Sequence, residues 1–120
     1  MQLIVGVDGS DYGLRALGES IERAQQLGGD VTVALYSDGQ TALDEIESLV
    51  SEELSAYDID VDVIWLEEEP GSQLIELAER EGYDQIVLPG GQRSPLGKIN
   101  LSNTIEFVLL NAQTTVTLVR

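Results

Sequence analysis

The sequence predicts an α/β fold: a single doubly wound, five-stranded parallel sheet with helices on both faces. Three observations lead there. Short apolar runs of strand length alternate with longer stretches in which apolar residues recur every three or four positions. The alternation continues without linker, repeat or low-complexity tract and closes on a fifth strand-like run, the pattern that lays helices over a parallel sheet. The chain has 120 residues, 42% of them apolar, which is one domain's worth over 1–120 and enough to build a core.

The elements follow in order. Gln2–Val7 is an apolar run ended by the turn residues Asp8-Gly9-Ser10, hence a buried first strand. Leu14, Leu17, Ile21, Ala24 and Leu27 mark a helix that Gly28-Gly29 closes. Val31–Tyr36 reads as the second strand, and Leu43, Ile46, Leu49, Val50 and Leu54 as the stripe of an amphipathic helix with acids on its other face. Val61–Leu66 is the third strand. Pro70-Gly71-Ser72 opens a helix carrying Leu74, Leu77 and Ala78. Gln85–Leu88 is the fourth strand, Pro89–Leu101 a long loop, and Ile105, Val108, Leu109 and Ala112 the stripe of the last helix. Asn103 with Glu106 has capping-box spacing, which places the helix start at Asn103 as the cap. Thr114–Val119 is the fifth strand. Trp65 and Phe107 read as packing residues.

Composition removes whole classes of chemistry. Cysteine and histidine are both absent, so disulfides, thiolate nucleophiles, imidazole bases and most zinc sites are excluded. Chemistry would have to run on carboxylates, hydroxyls, one lysine or backbone amides. No apolar run reaches membrane-span length. The chain opens directly on a strand, without a basic segment or small-residue cleavage site, so the expected location is cytoplasmic.

The charge is extreme: 22 acidic residues against 6 basic ones, a formal net charge of −16. Between Ala24 and Glu79 there are 15 acidic residues and no basic one. Such a surface repels nucleic acid and anionic membranes, so neither is an expected partner. The acids spread evenly, which suits the cytoplasm of a halophile, where concentrated salt screens self-repulsion, more than it suits one specific basic partner.

Two loops at strand C-termini stand out. One is Asp8-Gly9-Ser10-Asp11. The other, Pro89 through Lys98, holds 3 of the 12 glycines together with Arg93 and the only lysine, Lys98. They meet if the first and fourth strands are neighbours where the winding reverses, the place where such sheets bind ligands. The second loop offers what an anion needs: open amides, little steric bulk and positive charge. The same residues also admit a plain turn, with Arg93 and Lys98 balancing nearby acids. Glu67-Glu68-Glu69 reads as a solvated loop ahead of a metal site.

The opening Ile4-Val5-Gly6-Val7-Asp8-Gly9-Ser10, and the later Ile86-Val87-Leu88, Gly90-Gly91-Gln92-Arg93-Ser94-Pro95-Leu96, Glu106 and Val116-Thr117-Leu118-Val119, resemble universal stress protein domains along essentially the whole chain. The resemblance implies the adenine nucleotide alpha hydrolase-like fold and usually a homodimer, often joined through the last strand, here 114–120. That segment is β-rich and nearly uncharged, suited to pairing at a sheet edge, although brevity alone also protects such an edge. The resemblance further implies ATP or AMP as ligand, with magnesium reaching the site only through phosphates, and no metal held by the protein. It places Asp8 toward the base or ribose and Leu35 and Tyr36 against the base; with the anion-friendly second loop and the start of the last helix, the candidate binding residues are Val7, Asp8, Gly9, Ser10, Leu35, Tyr36, Gly90, Gly91, Arg93, Lys98, Ser102, Asn103 and Thr104. Each has a structural alternative: Asp8 as a turn former, Ser10 as a helix cap, Tyr36 as core.

The family's glycine signature is altered here. Pro89, Gln92 and Ser102 stand at its three glycine positions and Asn103 at its hydroxyl position. Side chains there restrict how closely backbone approaches a phosphate. Three readings result: a regulatory domain that binds a nucleotide or phosphate without turnover, a dimeric interaction module that binds none, and a weak nucleotide phosphohydrolase. No catalytic constellation beyond carboxylates supports the last.

Overall fold

The computed structural model describes residues 1–37, 39, 41–90 and 102–119. Strands and helices alternate through them: β1 (Gln2–Val7), α1 (Asp11–Leu27), β2 (Asp30–Leu35), α2 (Leu43–Leu54), β3 (Asp62–Trp65), α3 (Pro70–Glu81), β4 (Gln85–Pro89), α4 (Asn103–Asn111) and β5 (Thr115–Val119). The sheet order is β3-β2-β1-β4-β5 and every neighbouring pair is parallel. The expected five-stranded, doubly wound sheet is therefore present. Its winding reverses between β1 and β4, which pair through Leu3–Gln85, Ile4–Ile86 and Val5–Val87.

β1 lies in the middle, and Leu3, Ile4, Val5 and Val7 have no exposed surface. A strand covered on both faces reads as one continuous apolar run, which is what its sequence shows. Strand alternation then divides the core. Leu3, Val5 and Val7 pack with Leu17, Ile21 and Ala24 of α1 and Ile46 and Val50 of α2. Ile4 packs with Leu74 and Ala78 of α3 and Ile105 and Val108 of α4. So α1 and α2 cover one face and α3 and α4 the other. Gly6 leaves room on the second face: a Cβ there would stand 2.8 Å from the Leu88 Cδ2 atom and 3.4 Å from the Tyr36 ring.

Helix ends follow local chemistry. The Ser10 hydroxyl accepts from the Gly13 amide at 2.9 Å, and Gly28 at φ 68° stops α1 by sending its amide to the Ala24 carbonyl. α4 corrects the sequence-based expectation. Its cap is Ser102, whose hydroxyl accepts from the Ile105 amide at 3.2 Å, and Asn103 is the first helical residue. Glu106 then falls one position too late for a capping box. Strand ends differ from expectation by one residue or so. Trp65 packs against the α1–α2 side of the core. Phe107, expected to pack, is 43% exposed. It rests one edge of its ring on Gly71 and shows the rest to solvent. β5 lies at a sheet edge, paired through its length with β4 alone.

Candidate functional site

Parallel pairing brings the C-terminal ends of β1, β2 and β4 to one rim of the sheet. Val7 stands opposite Leu35, and the Tyr36 amide donates to the Val7 carbonyl at 3.0 Å. On the other side, Pro89 stands opposite Val119 and the Gly90 amide donates to the Val119 carbonyl at 2.6 Å. The loops after β1 and β4 thus leave adjacent strands, and the helices they lead into, α1 and α4, lie on opposite faces. Their N-termini flank the reversal point from both sides. Neither helix has a carbonyl one turn back for its first amides, so both present donors and partial positive charge at this rim.

The first loop is built by its own side chains. The Asp8 carboxylate accepts from the Ser10 amide at 3.0 Å, while the Ser10 hydroxyl caps α1. Gly9 sits at φ 85°, a conformation that costs L side chains 1–2 kcal/mol by order of magnitude. A Cβ at Gly9 would also meet the Ile46 Cγ1 atom at 2.9 Å. Asp8 and Ser10 therefore perform the local roles of turn former and cap. Both remain partly exposed, with lone pairs for a ligand.

Leu35 and Tyr36 lie deeper. Leu35 has no exposed surface and Tyr36 has 2%, and they enter the core on opposite faces of the sheet. Val7 is likewise fully buried. These three positions end β1 and β2 or follow β2 directly, beneath the rim. Ser102 and Asn103 are exposed and Thr104 is partly buried, and Ser102 spends its hydroxyl on the helix cap. Gly90 is buried beside the end of β5. Gly91, Arg93 and Lys98 lie outside the described residues, as does Gln92 of the altered glycine signature. Glu67, Glu68 and Glu69 are exposed.

Sequence reasoning missed a hollow beside this rim. A cavity of about 310 Å³ is lined by Glu69, Pro70, Gly71 and Ser72 at the start of α3, and by Asn103, Thr104 and Phe107 on α4. Glu69 adopts φ 41°, the one positive φ at a non-glycine residue among those described. The signal was present in part: Phe107 follows Asn103 by one turn, and Pro70-Gly71 opens a helix without bulk. What sequence could not supply was the packing of α3 against α4.

Tyr57 is a displaced titratable group. Burial, then the carboxylates of Glu22 and Glu53, and a hydrogen bond with Glu22, raise its phenol above the ordinary 10.0. This cluster joins α1 to the end of α2. No helix among the described residues is long and apolar enough to cross a membrane.

The sequence matches the universal stress protein family over residues 1–120. No curated protein matches it. Solved structures share its architecture. A universal stress protein in complex with cAMP is similar at 22% identity and a TM-score of 0.74, over 100% of this chain and 96% of that one. A universal stress protein from Archaeoglobus fulgidus is similar at 25% identity and a TM-score of 0.71, over 100% and 98%. One from Arabidopsis thaliana, solved with AMP bound, is similar at 16% identity and a TM-score of 0.68, over 99% and 90%.

Proposed function

The chain belongs to the universal stress protein family, and from that premise we propose that it is a regulatory domain that binds an adenine nucleotide or a smaller phosphate group, without turnover, in the crevice between the loops after β1 and β4. The observation that carries this reading is the sheet order. β1 and β4 are neighbours at the winding reversal, with the starts of α1 and α4 on either side. Similar structures solved with cAMP and with AMP make adenine nucleotides the first ligands to test.

The donor set fits a phosphate. The first amides of α4, at Asn103 and Thr104, and that of Gly91 would supply N–H groups, the Gly90 amide being engaged by the Val119 carbonyl, while Arg93 and Lys98 would supply two of the chain's 6 basic side chains. Val7, Leu35 and Tyr36 would lie beneath the base, with Asp8 facing the base or ribose and Gly9 and Ser10 leading on toward the phosphate. ATP or AMP is the proposed ligand, and magnesium would arrive with the phosphates. Pro89, Gln92, Ser102 and Asn103 make the phosphate cradle tighter than a glycine-rich one, which favours AMP or free phosphate over ATP.

Calorimetry with ATP, AMP and phosphate in molar potassium chloride tests this. Saturable heat with at least one ligand, weakened when Arg93 and Lys98 are both replaced by alanine, supports the reading. A flat response to all three ligands overturns it. One observation favours a second reading, a dimeric interaction module that holds no nucleotide: Asp8, Ser10 and Ser102 already serve turn and caps, and Leu35 and Tyr36 already serve the core. In that case association through 114–120 would be the output, detected as a dimer by light scattering. The even spread of acid fits work in a salt-rich cytoplasm under either reading.

A further inference from the structure

The seam between α3 and α4 carries an apolar face that the fold leaves uncovered. Phe107 is 43% exposed and Leu110 83%, the highest value among the described large apolar residues. They are three positions apart on α4 and so neighbour each other on its outer surface, although Phe107 lines the hollows of the seam and Leu110 lies outside their lining. Two hollows of about 310 and 330 Å³ adjoin along the seam and share Phe107 and Ser72. Ile75 of α3, partly buried, lines the second. Carboxylates rim both: Glu69 on the first, Glu76 and Glu79 on the second. The cation beside them, Arg80, is paired with Glu76 and Glu81.

We propose that this seam is a docking groove for a basic amphipathic helix of a partner protein, with apolar residues entering against Phe107 and Leu110 and lysines or arginines meeting the three rim carboxylates. An apolar stripe of this spacing receives a helix whose anchors recur at i, i+3 and i+4. The charge selects the partner. A second copy docked by this same face would set its rim carboxylates against their own counterparts, and an anionic lipid surface would be repelled likewise. A basic segment neutralises the rim while its apolar stripe is buried. The first hollow shares Asn103 and Thr104 with the proposed nucleotide crevice, but the groove is argued from Phe107 and the rim carboxylates and stands if that reading fails.

The test uses the full chain and a labelled synthetic peptide of roughly 14 residues of leucine and lysine with leucines at helical spacing, followed by fluorescence anisotropy. The expected result is saturable binding. Phe107→Ser and Leu110→Ser should each weaken it roughly tenfold, as loss of one buried apolar anchor does. Glu76→Gln with Glu79→Gln should weaken it and flatten its salt dependence. Glu19→Gln with Glu47→Gln, on the opposite sheet face, should leave it unchanged. Circular dichroism checks that each variant is folded. The proposal is overturned by absence of saturable binding or by equal affinity for a scrambled peptide of the same composition. It is also overturned if Phe107→Ser and Leu110→Ser have no effect, or if Glu19→Gln with Glu47→Gln weakens binding as much as the rim pair. Dissociation of a wild-type dimer by Leu110→Ser, with peptide binding unchanged, would assign the face to a second copy instead.

Discussion

Replacing Gly6 with alanine tests the packing that holds the rim in place. The new methyl would stand 2.8 Å from Leu88 Cδ2, 3.4 Å from the Tyr36 Cε1 atom and 3.5 Å from Leu74 Cδ2. Carbon atoms in contact prefer about 3.5–4.0 Å, so the Leu88 methyl must retreat by roughly 1 Å. It has nowhere open to go, because Leu88 and Leu74 are fully buried and Tyr36 nearly so. Overpacking of this kind costs about 1–3 kcal/mol. Alanine restricts the unfolded chain and returns about 0.4–1 kcal/mol. At the middle of each range the net expectation is a loss of about 1 kcal/mol, and for a chain of this length each 1 kcal/mol lowers the melting temperature by about 4 °C. Urea unfolding in fixed salt reads the first quantity and a thermal melt the second. Because Tyr36 and Leu88 lie just beneath the ends of β2 and β4, nucleotide affinity should fall as well. Unchanged stability, or a gain, would show that the sheet opens freely at this point and that the rim is not held by the Gly6–Leu88–Tyr36 contact.

Other variants probe separate links. Ser102→Ala removes the side chain that caps α4 and should cost about 1 kcal/mol, whereas Asn103→Ala should cost little stability; the reverse order in urea midpoints would restore Asn103 as the cap. Tyr57 gives a pH signature. Its phenol ionises above 10.0 in the folded chain, so above pH 10 the unfolded chain loses that proton first. The stabilisation is complete below pH 10 and disappears as pH rises through the folded value. Tyr57→Phe should therefore lose less stability than wild type between pH 9 and pH 11, and parallel losses would refute the assignment.

The fold was legible because its causes are local and periodic. A continuous apolar run such as Leu3–Val7 has few outlets besides a strand covered on both faces, and stripes such as Leu17, Ile21 and Ala24 have few besides one helix face. The adjacency of β1 and β4 was a condition that the two special loops raised, and the full strand order came from the structure. Three details were beyond sequence. Ser102 and Asn103 are adjacent residues of equal capping ability, and spacing cannot rank them. Phe107 carries a core residue's chemistry, yet its exposure depends on how closely α3 approaches, which Gly71 decides. Leu35 and Tyr36 end a strand, where residues can line a ligand or fill the core; their burial on opposite faces depends on Ile46, Leu74 and other residues far away in the chain. In the candidate site, residue types conveyed the chemistry on offer and the strand register conveyed which of them share a rim.

The most direct test of a ligand site at the β1–β4 reversal is an amide chemical-shift titration of the ¹⁵N-labelled chain with AMP in molar potassium chloride. The account predicts saturable shifts concentrated at Gly9, Ser10, Gly90, Asn103 and Thr104, with Arg93→Ala and Lys98→Ala together weakening the response. An unchanged spectrum at saturating AMP, or shifts confined to residues 69–72 and Phe107, would contradict it.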